Sequence, residues 1–111
     1  VVRIWKQIHF AWDSLSYEQA VRRGIQILSS FGMYRNKVMF YVLIGFDTTP
    51  EEDLYRVEVL RGLNIDPFVM PFNRRDEYQR KFARWVNHKA IFKSVGWEEY
   101  KNHKEKVYAT P

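Results

Sequence analysis

The sequence predicts an α/β domain of three consecutive βα units with parallel strands, and three observations carry that prediction. The first is Val38-Met39-Phe40-Tyr41-Val42-Leu43-Ile44, apolar or aromatic throughout, which reads as a strand buried on both faces. The second is the stretch that follows it, Gly45-Phe46-Asp47-Thr48-Thr49-Pro50-Glu51-Glu52. There Thr49 can cap a helix, Pro50 suits its first position and Glu52 completes a Thr-x-x-Glu capping box. The third is repetition: strand pattern, turn and helix pattern occur once before this junction and once after it, with no low-complexity linker.

Taken in order, the first strand spans Trp5 to Trp12, with Ile8, Phe10 and Trp12 on one face and His9 and Ala11 on the other. Ser16-Tyr17-Glu18-Gln19 then offers a Ser-x-x-Gln capping box, with Leu15 and Ala20 placed for a hydrophobic staple. The helix carries Tyr17, Ala20, Val21, Gly24, Leu28 and Phe31 at three- and four-residue spacing and stops at Gly32. Gly24 is unfavourable inside it by about 1 kcal/mol relative to Ala, which points to close packing against a strand. The second helix runs from Pro50 to Arg61, turns Leu54, Val57 and Leu60 to the sheet and ends at Gly62. The third strand, Pro67 to Phe72, keeps its prolines at its ends, where no ladder donor is needed. The third helix, Asp76 to Val86, gathers Tyr78, Phe82, Trp85 and Val86 on one face. Ala90-Ile91-Phe92 and Trp97 to Tyr100 read as short docking turns, which leaves one domain over residues 1–100 and a polar tail over 101–111.

At 111 residues, 46% of them hydrophobic, the chain is long enough for one packed core, with four Trp, seven Tyr and eight Phe supplying much of its volume. No uncharged apolar run approaches the roughly 18 residues of a membrane span, and no signal-peptide pattern is present, so a cytoplasmic setting is expected. The chain has no cysteine, which excludes disulfides, thiolate metal sites and iron–sulfur ligation by these residues. A strand pattern that starts almost at Val1 reads as a piece cut from a longer protein. The net charge of +5 is local: Asn73 to Lys93 holds seven basic and two acidic residues, and the remaining eleven of each sign cancel.

Parallel α/β folds place their chemistry at the carboxyl ends of strands. That selects Asp13, then Asp47 and Thr48, then Asn73, Arg74 and Arg75. Asp13 either accepts hydrogen bonds from a ribose hydroxyl or an ammonium group, or bonds the backbone of its own turn. Asp47 either does the same or stabilises the helix N-terminus behind it. Arg74 and Arg75 either fork onto an anionic substrate or a carboxylate, or lie in a solvated loop. His9 reads as a hydrogen-bonded strand residue, and His88 and His103 lack metal-ligand spacing. The Arg74–Lys93 segment also admits a basic module for nucleic acid or another polyanion, with Phe82 and Trp85 either stacking on bases or filling the core. Three parallel strands leave two bare edges, so the sheet belongs to a larger barrel or doubly wound sheet, or copies associate through those edges.

The stretch Ile44-Gly45-Phe46-Asp47-Thr48-Thr49-Pro50-Glu51-Glu52-Asp53 resembles the fifth-strand signature of radical S-adenosylmethionine (SAM) enzymes. Phe10-Ala11-Trp12-Asp13 is similar to the end of that family's fourth strand and Phe68-Val69-Met70-Pro71 to its sixth, so the likeness covers roughly Ile4 to Phe72. Many family members place Pro-Gly before the acidic residue, where here Phe46 meets Asp47 directly. The resemblance implies half of a partial TIM-type barrel, in which Asp13 contacts the ribose and methionine parts of SAM. Leu43, Gly45, Asp47, Thr48, Val69 and Met70 would line its adenine side, with Asn73, Arg74 and Arg75 toward substrate or anion. The family's Cys-x-x-x-Cys-x-x-Cys loop, which holds a [4Fe-4S] cluster, lies near the first strand of its barrel. The implied partner is therefore a missing N-terminal half, and this chain alone would bind no cluster and be catalytically silent.

Overall fold

The computed structural model describes residues 8–32 and 38–102; the start of the expected first strand and most of the polar tail lie outside them. Strand β1 (Ile8–Ala11), helix α1 (Glu18–Ser30), strand β2 (Val38–Ile44), helix α2 (Pro50–Gly62), strand β3 (Asp66–Pro71) and helix α3 (Glu77–Asn87) follow one another, then the short helices α4 (Lys89–Ser94) and α5 (Trp97–Asn102). The strands form an open parallel sheet in the order β1-β2-β3. The protein is thus α/β with three parallel strands joined by helices. Among the described residues no helix is long and apolar enough to cross a membrane.

Helix α2 starts as its sequence dictates. Thr49 Oγ1 accepts the Glu52 amide at 3.2 Å and Glu52 Oε1 accepts the Thr49 amide at 2.9 Å, with Pro50 in the first turn. Helix α3 is capped by Asp76, whose carboxylate accepts the Gln79 amide. Helix α1 departs from expectation. Ser14, not Ser16, is the capping side chain, and it opens a 3-10 turn over Leu15–Tyr17 that delays the helix to Glu18. The Trp12 indole fixes this turn by donating to the Ser14 carbonyl at 2.7 Å. Helix α1 consequently buries Val21 and Ile25, while Tyr17 and Phe31 are exposed and Gly24 faces open space rather than a strand.

The second strand corrects another expectation. Val38, Phe40, Val42 and Ile44 are buried, but Met39, Tyr41 and Leu43 between them are only half-buried. Strand β3 repeats the alternation, with Val69 in the core while Phe68 and Met70 are 41% and 45% exposed. The covered face meets Val57, Leu60, Phe82 and Val86 of α2 and α3 in one core, and Trp85, Phe92, Trp97 and Tyr100 extend it under α4 and α5. All the helices therefore serve one face of the sheet. A continuous apolar run signals burial on two faces only where helices arrive from both sides.

The two edges also differ. The Asn87 carboxamide bonds both backbone groups of Val69, accepting its N–H at 2.8 Å and donating to its C=O at 3.0 Å. That occupies the outer side of β3, and a Lys89–Asp66 ion pair of 2.9 Å lies beside it. Among the described residues nothing pairs with the outer side of β1. An apolar groove of about 470 Å³ lies there, lined by Phe10 and Phe40 of the sheet and by Tyr17, Ala20, Ile27 and Leu28 of the turn and α1.

Candidate functional site at the strand carboxyl ends

The register brings two of the expected residues side by side. Leu43 pairs directly with Met70, so both project from the uncovered face, as do Tyr41 and Phe68 one pleat below. Tyr41 packs edge-on to Phe68 and shares a 3.1 Å hydrogen bond with His9 Nδ1, which makes a polar spot on an otherwise apolar surface. Val69 points the other way: its side chain is in the core and both its backbone groups are held by Asn87.

Gly45 follows with φ +83, a left-handed conformation that a side chain disfavours. A Cβ there would sit 2.0 Å from Gln79 Cδ, so the glycine makes room for that carboxamide. Gln79 in turn accepts the Asn73 amide on Oε1 at 2.8 Å, and Asn73 Oδ1 accepts the Arg75 amide at 3.0 Å. One nearly buried glutamine thereby ties the turn after β2 to the turn after β3. Asp13, Asp47, Arg74 and Arg75 are exposed at the strand ends, and neither guanidinium has a carboxylate partner among the described residues.

Beneath this rim lies a buried ionic hub. Asp53 and Arg56 are both 0% exposed and meet at 2.7 Å. The guanidinium also donates to the Trp12 carbonyl at 2.6 Å and the Leu43 carbonyl at 2.8 Å. The last ladder bond between β1 and β2 is Trp12 N–H to the Tyr41 carbonyl, so Arg56 serves the two carbonyls left over where the strands part. Asp53 accepts the Thr48 hydroxyl and Arg56 on one oxygen, and the Tyr78 hydroxyl at 2.7 Å on the other. Burial first, then that hydrogen bond to a carboxylate, pushes the Tyr78 phenol well above its usual range. Thr48 is committed to this hub and has no hydroxyl proton left for a ligand.

The hub carries a sequence signal of its own. Asp53, Arg56, Val57 and Leu60 fall at i, i+3, i+4 and i+7, so the sheet-facing stripe of α2 contains an acid–base pair. At the edge of the sheet, Glu18 accepts from the Tyr55 hydroxyl and from Arg22, both at 2.8 Å, which ties α1 to α2. The Tyr55 bond and then the Arg22 bond hold the Glu18 carboxyl below its usual range. On α3, Phe82 and Trp85 are buried, so neither is free to stack on a base. Among the described residues no group of His, Asp and Glu is arranged to hold a metal ion.

The geometry defines a class: a parallel α/β sheet, helix-covered on one face, with polar turns and an apolar shelf at its carboxyl ends. Comparison with protein-family models, curated proteins and solved structures finds no match to this chain.

Proposed function

We propose that this chain is the SAM-binding, pocket-shaping half of a radical SAM enzyme, and that its sheet is half of a partial TIM-type barrel. The observation that carries the reading is the Leu43–Met70 pair on the uncovered face, directly before the Gly45 turn. An apolar shelf of that kind suits the face of an adenine. Asp13 at the neighbouring strand end offers a carboxylate to ribose hydroxyls, and Arg74 and Arg75 offer forks to a carboxylate. The uncovered face and the free side of β1 fit a missing N-terminal half whose strands would continue the sheet.

The residues present fit SAM and do not fit an iron–sulfur cluster. With no cysteine the chain supplies no thiolate, so the cluster that donates the electron for SAM cleavage belongs to the other half. What these residues do is bind, orient and exclude water from one side of the cofactor. Titrating SAM into methyl-labelled protein is expected to shift the Leu43 and Met70 signals saturably, and Met70→Glu to abolish the response. Methyl signals that stay unmoved at millimolar SAM would sink the reading. Reconstitution with iron and sulfide is expected to give no charge-transfer absorbance, and a cluster bound by this chain alone would overturn its division of labour.

A further inference from the structure

Two phenylalanines stand out from the rim where the chain leaves β2 and β3. Phe46 is 66% and Phe72 61% exposed, and their rings lie 5.0 Å apart with planes inclined at 53°. Large apolar side chains held in solvent on ordered turns contribute nothing to the core. These turns are ordered: the Phe72 amide still bonds the Ile44 carbonyl at 2.9 Å, and Gln79 fills the space over Gly45 and bonds the Asn73 amide. One residue beyond Phe72, after Asn73, come the exposed Arg74 and Arg75. Farther along α3 the exposed Arg80 and Arg84 extend the positive charge, and the whole net +5 of the protein resides between Asn73 and Lys93.

We infer that this rim binds single-stranded nucleic acid, with bases stacked on Phe46 and Phe72 and phosphates held by Arg74 and Arg75. Aromatic faces accept any base, and flanking cations neutralise the backbone, which together give sequence-tolerant binding. An apolar partner protein would be served by the aromatics alone; the cations beginning two residues after Phe72 select a polyanion instead. A duplex conceals its base faces, so the stacking pair demands unpaired bases. The extent of the positive segment, from the rim along α3, exceeds what one nucleotide would use. The site adjoins the Leu43–Met70 shelf and draws on the same Arg74 and Arg75, but its binding of a strand does not depend on the cofactor reading.

The test is fluorescence anisotropy with a labelled oligothymidylate of about 15 nucleotides, long enough to span such a site. Saturable binding is expected at low salt. Arg74→Gln with Arg75→Gln should flatten the log–log salt dependence by about 1.4, near 0.7 for each phosphate no longer neutralised. Phe72→Ala should weaken binding about tenfold, the loss of one stacked base, while Phe72→Trp should retain it. Thermal melts of these variants should match wild type, since the substituted side chains are exposed. Three results would each overturn the inference: no saturable binding, binding unchanged by Phe72→Ala, or displacement of the probe by thymidine monophosphate as readily as by unlabelled strand.

Discussion

Replacing Arg56 with Met tests the most heavily bonded side chain at the rim. The guanidinium is fully buried and serves the carbonyls of Trp12 and Leu43, the Thr48 hydroxyl and the Asp53 carboxylate. Methionine keeps most of the stem and its packing, so the loss is chiefly electrostatic. Removing one partner of a buried ion pair costs about 3–5 kcal/mol because the other charge is left uncompensated. Asp53 would keep only the hydroxyls of Thr48 and Tyr78, and the two orphaned carbonyls add about 1–3 kcal/mol each unless water reaches them. A loss of about 4 kcal/mol, the middle of the ion-pair range with water reaching both carbonyls, is thus a conservative expectation, against a total stability of roughly 5–15 kcal/mol for such a domain. In urea titrations followed by tryptophan fluorescence, with Trp12 and Trp85 as buried reporters, the midpoint should fall by about 2 M at an ordinary slope. Asp53→Leu combined with Arg56→Met removes both charges and should recover part of the loss, because buried pairs are often replaceable by apolar residues. An Arg56→Met cost below about 1 kcal/mol, or strictly additive single and double variants, would refute the hub as the tie between the parted strands.

Gly45→Ala should destabilise by about 2–3 kcal/mol, from the left-handed backbone and a displaced Gln79 hydrogen bond, and pairing it with Gln79→Ala should relieve the steric part in the same titrations. Asn87→Ala frees both backbone groups of Val69, so light scattering should show association through β3 that the wild-type edge resists, with about 1–3 kcal/mol of stability lost. The Tyr78 phenol has a raised pKa in the folded state, so the unfolded chain releases that proton first. Its stabilising share is complete below pH about 10, the ordinary tyrosine value, and is lost as pH rises beyond it. Denaturation titrations across that range should show a shallower alkaline decline for Tyr78→Phe than for wild type.

The order of the elements was legible because each boundary has its own local chemistry. Thr49, Pro50 and Glu52 settle the start of α2, and Gly32, with φ +79, follows the end of α1. The start of α1 was misread because two serines compete within three positions, and the Trp12 indole settles the choice through a contact no local pattern announces. The number of covered faces was misread for a different reason. An apolar strand shows that its residues tolerate burial, whereas which side receives helices depends on how the crossovers fall. At the rim, the resemblance groups Leu43, Val69 and Met70 together, whereas the register puts Leu43 and Met70 on the uncovered face and turns Val69 into the core.

The residues that escaped sequence reading share one physical property. Arg56, Asp53 and Gln79 are polar side chains on the sheet-facing stripes of α2 and α3, where an amphipathic reading expects Val or Leu. Arg56 and its partner Asp53 stand there because β1 and β2 end at different levels. Ala11 pairs with Tyr41, while β2 and β3 stay paired as far as Ile44 and Pro71. Each unequal end leaves backbone groups with no ladder partner, and a buried carbonyl or amide without one is costly. Arg56 serves the gap between β1 and β2, and Gln79 serves the Asn73 amide beyond β3. The shape of the rim is therefore set from below by helix side chains rather than by the turns themselves. That is why turns carrying exposed phenylalanines and arginines can hold one conformation without burying them.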